Sequence, residues 1–291
     1  ERGWVRIIGN SSKQGYFSYR LFGQAKGLFL RLERSSPEGL LFSFDGKVTK
    51  LYPKQQMILS TKLSLVYLPS EERMHFGVHK AQDWTFVQRR KRLEEILPFW
   101  FALGKGLPKL KFPMNRGIFR LVSHCEKSMQ TKDRQEVGTH LLALFRLGFE
   151  GVLVPCFQDK RHQGFAFSQE NIEGTPLALL AEGARLIRRL FIEEQGEAIA
   201  LLPCLPLAIH AGRFVRVKLK GLMLDLEWSK KCVRRLKLLP AQDQRRTFLL
   251  PPSIRTFRVR KGEKSRGFIQ EAKTPISLSA GHTYLLDRFQ K

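Results

Sequence analysis

The chain has 291 residues, 43% of them hydrophobic and 11% aromatic, enough to bury a large core and to divide into two or three units. That composition excludes a disordered chain, and no apolar run approaches the roughly 18 residues of a membrane span. A formal charge of +25 points to anionic partners or to a solubility strategy, and residues 213–266 alone carry 17 Lys/Arg against 4 Asp/Glu, a net of +13.

Residues 1–78 read as strands. Short apolar or alternating runs at Trp4–Ile8, Tyr16–Phe22, Leu28–Glu33, Leu40–Phe44, Val48–Tyr52 and Met57–Leu68 are separated by Gly, Pro and Ser signals. Asp45-Gly46, between two such runs, predicts a tight hairpin.

Residues 83–105 read as a helix. Leu93, Ile96, Leu97, Trp100 and Phe101 share one face, Asp83 serves as N-cap, and Pro98 should kink the helix or end it early. Asp133–Leu147 reads as a second helix, with Val137, His140, Leu141 and Leu144 on one stripe and Gly148 just past its end. Gly151–Phe157 is strand-like. A third helix runs from Thr175 to about Glu193, with Pro176 in its first turn and Leu180, Ala184, Ile187 and Phe191 as its buried stripe.

From Ala198 onward the pattern returns to strands. Val215, Val217 and Leu219 alternate with Arg216, Lys218 and Lys220, and Leu222, Leu224 and Leu226 alternate with Met223, Asp225 and Glu227. The fold class is therefore α+β: an N-terminal β-sandwich-like domain (1–78), a short helical middle layer (79–198) and a C-terminal antiparallel β-sandwich (199–291).

The run Gly196-Glu197-Ala198-Ile199-Ala200-Leu201-Leu202-Pro203-Cys204-Leu205-Pro206, with Gly212, Gly221 and Leu224-Asp225-Leu226-Glu227-Trp228 after it, resembles the C-terminal region of glycoside hydrolase family 95. The closing Thr274–Tyr284 stretch is also similar to that family's terminal strands. The resemblance covers about a third of the chain. It implies a final barrel helix leading through a Leu-Leu-Pro-x-Leu-Pro turn into a β-sandwich, and metal-free acid/base hydrolysis of a glycosidic bond, with no cofactor. Two departures stand out. Ser229-Lys230-Lys231 replaces a Gly-rich turn, and the 120 residues from 79 to 198 are too few for the twelve helices of an (α/α)6 barrel, which need roughly 200.

No carboxylate of the middle region maps onto a catalytic motif, so catalytic residues stay unassigned. Glu136 and His140 stand at i, i+4, but no third metal ligand lies near, and a packed core histidine is the simpler reading. Trp84, Trp100, His162 and Gln163 are the candidates for binding a glycan or oligosaccharide, because aromatic rings and polar loop groups stack on and hydrogen-bond to sugars. Arg216, Lys218, Lys220, Arg258 and Arg260 are the candidates for anion binding, on a sheet face expected to be broadly cationic. Few aromatics interleave with them, which favours nonspecific contact with an anionic polymer or a membrane surface over reading of a nucleic-acid sequence. Cys125, Cys156, Cys204 and Cys232 form no close pair, and Glu1-Arg2-Gly3-Trp4 shows no export signal; the expectation is free thiols and a cytoplasmic protein.

Overall fold

A computed structural model describes residues 4–11, 17–22, 30–36, 38–44, 47–60, 63–67, 71–77, 84–107, 109–111, 116–150, 153–157 and 175–291. The chain is α+β and forms two compact units, 1–70 and 71–291. No helix among the described residues is long and apolar enough to cross a membrane.

The first unit is all β. Its strands are β1 (Trp4–Ser11), β2 (Phe17–Phe22), β3 (Leu30–Ser36), β4 (Gly39–Phe44), β5 (Lys47–Leu51), β6 (Gln56–Ser60) and β7 (Leu63–Tyr67). They make two antiparallel sheets, in the orders β2-β1-β6-β7 and β3-β4-β5. The run expected as one strand over 57–68 is a hairpin of two, β6 and β7. Phe44 pairs with Lys47 as the predicted hairpin requires, while Asp45-Gly46 themselves lie outside the described residues. Leu40, Phe42, Leu51 and Met57 form the buried centre.

The second unit opens with β8 (Arg73–His75). Although 73–75 reads as part of the N-terminal domain, it pairs with Arg213–Val215, so the helices and the C-terminal sheets share one unit with it.

The helix expected over 83–105 is two helices, α1 (Trp84–Arg90) and α2 (Leu93–Gly104). Lys91, at φ 52, breaks them, because a left-handed residue cannot continue a right-handed helix. Pro98 lies inside α2 without ending it. Its ring removes a bond to Glu94, only the second residue of the helix, so little of the ladder is lost. An unpredicted helix, α3 (Phe119–Gln130), buries Phe119, Leu121, Val122, Cys125 and Met129. In α4 (Arg134–Gly148), the Asp133 carboxylate accepts from the backbone N–H groups of Gln135 (3.0 Å) and Glu136 (2.8 Å), satisfying two of the orphan donors of its first turn.

A two-stranded pair, β9 (Phe149–Glu150) and β10 (Val154–Pro155), leads toward α5 (Leu177–Phe191). Eleven of its fifteen residues are buried, so α5 is the central helix of the unit rather than a surface helix with one apolar stripe. It stops at Phe191, and a hairpin of β11 (Ile192–Gln195) and β12 (Ala198–Leu201) comes before the Leu201–Pro206 turn.

The remaining strands are β13 (Gly212–Leu219), β14 (Leu222–Ser229), β15 (Cys232–Pro240), β16 (Gln244–Leu249), β17 (Thr256–Lys261), β18 (Phe268–Glu271), β19 (Ile276–Leu278) and β20 (Tyr284–Gln290). They build the C-terminal β-sandwich from a seven-stranded sheet, ordered β18-β17-β20-β15-β14-β13-β8, and a four-stranded sheet, β11-β12-β16-β19. β12 and β16 run parallel, so the sandwich is not wholly antiparallel. Strict alternation buries Leu222, Leu224, Leu226 and Trp228 on the inner face of β14.

In β13 a bulge between Phe214 and Val217 shifts the register. Phe214 takes the inward place and Val215 is only half-buried, contrary to the expected alternation. Phe214 stands edge-on to both Phe101 and Phe191, which ties the sheet to α2 and α5. Glu72 fastens the same junction. Its carboxylate accepts from Arg188 at 3.3 and 3.4 Å and from the Lys218 N–H at 2.9 Å, and Lys105 Nζ donates to its carbonyl oxygen. This buried charge therefore has the partners that burial demands.

Candidate functional site

The Leu201–Pro206 turn lines an open cleft of about 570 Å³. Its walls come from four separate segments: the end of α3 and start of α4, the end of α5 with β11 and β12, the β14–β15 turn, and the residues after β16. The floor is apolar, formed by Met129, Leu201, Leu202, Pro203, Leu249 and Pro251 among others. Among the described residues four cations stand around it, Lys132, Arg134, Arg189 and Lys231, against one carboxylate, Glu193.

Local geometry places each cation. Lys132 (φ 57) terminates α3, its N–H donating to the Met129 carbonyl at 3.2 Å. Lys231 (φ 61) sits in the β14–β15 turn, its N–H donating to the His210 carbonyl at 2.9 Å. Arg134 Nε donates to the Leu205 carbonyl at 2.7 Å, fixing the start of α4 to the proline-rich turn. Arg189 reaches Glu193 at 3.0 Å and Glu126 at 3.4 Å. Glu193 is thus already neutralised, and no carboxylate among the described residues pairs with Lys132 or Lys231. Arg189 is held by two carboxylates, so it is Lys132 and Lys231 that give the cleft an excess of positive charge over its apolar floor.

The sheet face expected to bind anions is different in detail. Asp287 accepts from Arg258 at 2.7 and 2.9 Å and from Arg260 at 2.7 Å. These two guanidinium groups are held by their own strand neighbour on β20 rather than open to a polyanion, and they in turn hold the Asp287 carboxyl below its usual range, the Arg258 hydrogen bonds being the main cause. Asp225 and Glu227 stand opposite Lys237 and Arg235 across the β14–β15 pair, so that face is a mixture of both signs rather than broadly cationic. Arg216, Lys218 and Lys220 are exposed at the far edge, Arg216 paired with Glu71 at 3.3 Å.

The sugar-binding candidates do not gather into one described site. Trp100 is fully buried, edge-on to Phe149 at 4.6 Å, and presents no face to a ligand. Trp84 opens α1, and its side chain, like His162 and Gln163, lies outside the described residues.

His140 is half-exposed rather than packed in the core. Its Nδ1 lies 2.9 Å from the buried Ser128 Oγ, which also contacts the Glu136 carboxylate (3.2 Å) and the His124 carbonyl (3.1 Å). An activated serine needs the acid on the far ring nitrogen of the histidine; here it bonds the serine itself. The cluster clasps α3 to α4. Among the described residues no three His, Cys, Asp or Glu side chains are placed to hold a metal ion.

The cleft escaped sequence reasoning because its members are spread from residue 129 to 252, and only the proline-rich turn marks it in the sequence. No protein-family model matches the chain, and comparison with curated proteins returns no match.

Proposed function

We propose that this protein binds an acidic glycan in the cleft around the Leu201–Pro206 turn. The observation that carries the proposal is the convergence of Lys132, Arg134, Arg189 and Lys231 on that cleft, with Glu193 as the one carboxylate among its described lining residues. Sulfate or carboxylate groups satisfy the cations, while the apolar floor of Leu201, Leu202, Pro203 and Pro251 suits the C–H faces of sugar rings. A nucleic acid is a poorer fit, because no aromatic side chain among the described residues lines the cleft to stack on a base. Hydrolysis needs two carboxyl groups facing each other across the bond, and the one in this cleft is held by Arg189. The proposal is therefore binding.

A second reading follows from the family 95 resemblance, with the chain as a reduced relative that takes neutral oligosaccharides. The path of α5 toward the Leu201–Pro206 turn, and from there to the β13–β14 hairpin, supports it. That the four cysteines form thiols rather than disulfides suits a cytoplasmic setting for either reading.

Titration with heparin and with a neutral oligosaccharide at rising salt separates the two. Acidic-glycan binding predicts heparin affinity that falls steeply with salt, and a loss of about tenfold in Lys132→Ala/Lys231→Ala at low salt. Salt-tolerant binding of the neutral sugar, with heparin no tighter, overturns it in favour of the second reading.

A further inference from the structure

Seven large hydrophobic side chains are exposed among the described residues, and only Phe268 (56%) and Ile269 (59%) are chain neighbours. They open β18, the edge strand of the seven-stranded sheet. Phe268 pairs with Val259 and Ile269 with Arg258, so the two side chains leave opposite faces of the strand, and neither is covered.

The preceding turn is built to hold them there. Gly267 has φ +74, and a Cβ on it would overlap the Val259 carbonyl, so the chain must pass this point as glycine. The Gly267 N–H donates to Ser265 Oγ at 3.2 Å, and Arg260 Nη1 donates to the Glu263 carbonyl at 2.9 Å.

Exposed cations flank the apolar pair: Lys261, Lys264 and Arg266 on the turn side and Lys273 beyond the strand, with Glu263 and Glu271 as the opposing charges. A second copy pairing with this edge would bring like charges together, which edge lysines and arginines disfavour. A soluble polyanion would use the cations but leave Phe268 and Ile269 in water. One surface satisfies both chemistries: anionic headgroups over hydrocarbon.

We propose that the β17–β18 hairpin docks this protein on an anionic lipid bilayer. Phe268 and Ile269 enter the boundary between headgroups and acyl chains, while Lys261, Lys264, Arg266 and Lys273 keep their charges at the lipid phosphates. The contact is peripheral and reversible. It uses residues separate from the Lys132–Lys231 cleft, so either proposal can fail alone.

Cosedimentation with phosphatidylcholine vesicles, with and without phosphatidylserine, tests it. The expected result is binding to the phosphatidylserine vesicles only, weakened about tenfold or more in Phe268→Ser/Ile269→Ser and at least several-fold in Lys264→Ala/Arg266→Ala. Both variants should keep the parent melting temperature and heparin affinity, whereas Lys132→Ala/Lys231→Ala should keep vesicle binding. Undiminished vesicle binding by Phe268→Ser/Ile269→Ser, or no binding by the parent protein, overturns the proposal. So does a parent protein that self-associates through this edge, shown by a change in hydrodynamic size in the same variant.

Discussion

The indole of Trp100 fills the space that a Cβ on Gly183 would need. One turn from it, Gly104 meets the Leu180 backbone just as closely, so α2 and α5 touch through two glycines. On an exposed helix, Gly→Ala stabilises by about 1 kcal/mol. Here packing reverses the sign, because the new methyl must displace a buried indole or a backbone carbonyl. Gly183→Ala should destabilise unit 2 by about 1–3 kcal/mol in urea unfolding. Gly104→Ala should destabilise it more, since a backbone carbonyl yields less than a side chain. A stabilised Gly183→Ala would mean that the α2–α5 contact is looser than this geometry.

That contact also shows which features were legible in the sequence. The apolar face of α2, the buried stripe of α5 and the alternation in β14 are local patterns, and each forms where its periodicity puts it. The close approach of Trp100 to Gly183 spans 83 positions and leaves no local trace. For the same reason Trp100 reads as a sugar platform until its surroundings are known. α3 went unseen because Ser123-His124-Cys125-Glu126-Lys127-Ser128 masks the stripe of Phe119, Val122 and Met129. Arg258 and Arg260 read as free cations because Asp287, which binds them, is far along the chain and adjacent only through β17–β20 pairing.

Asp287 gives the protein a contribution to stability that depends on acid. Its folded-state carboxyl titrates below the usual range, through the hydrogen bonds from Arg258 and Arg260. A depressed folded value means that the contribution is complete above the unfolded value, about pH 3.9, and is lost as pH falls through the folded one. Asp287→Asn should therefore cost about 1 kcal/mol at pH 7, a small figure because solvent screens a pair near the surface. Once the pH falls below the depressed folded value, the variant and the parent should converge. Melting curves at pH 7 and below that value check this, and an equal gap at both would show that the pair acts through packing rather than charge.

The four thiols should separate by environment when the folded protein meets iodoacetamide. Burial pushes the Cys125 thiol up to about 12, with help from the Glu126 carboxylate, and burial likewise pushes Cys204 up to about 11. Only thiolate attacks, so these two should react more slowly than an ordinary thiol by a factor on the order of 100 or more, before restricted access slows them further. Cys156 is half-buried and donates toward the Leu147 carbonyl at 3.4 Å, while Cys232 is half-buried at the start of β15. The expected order is Cys232, then Cys156, then Cys204, and last Cys125, read by mass spectrometry over time. In strong denaturant the four rates should merge. Because Cys204 sits in the proline-rich turn, against the Ser128 carbonyl at 3.9 Å, its labelling also reports opening of the proposed glycan cleft. Heparin bound in that cleft should slow the labelling of Cys204 and leave Cys156, at the far end of α4, unchanged, whereas equal slowing at both would place the ligand elsewhere.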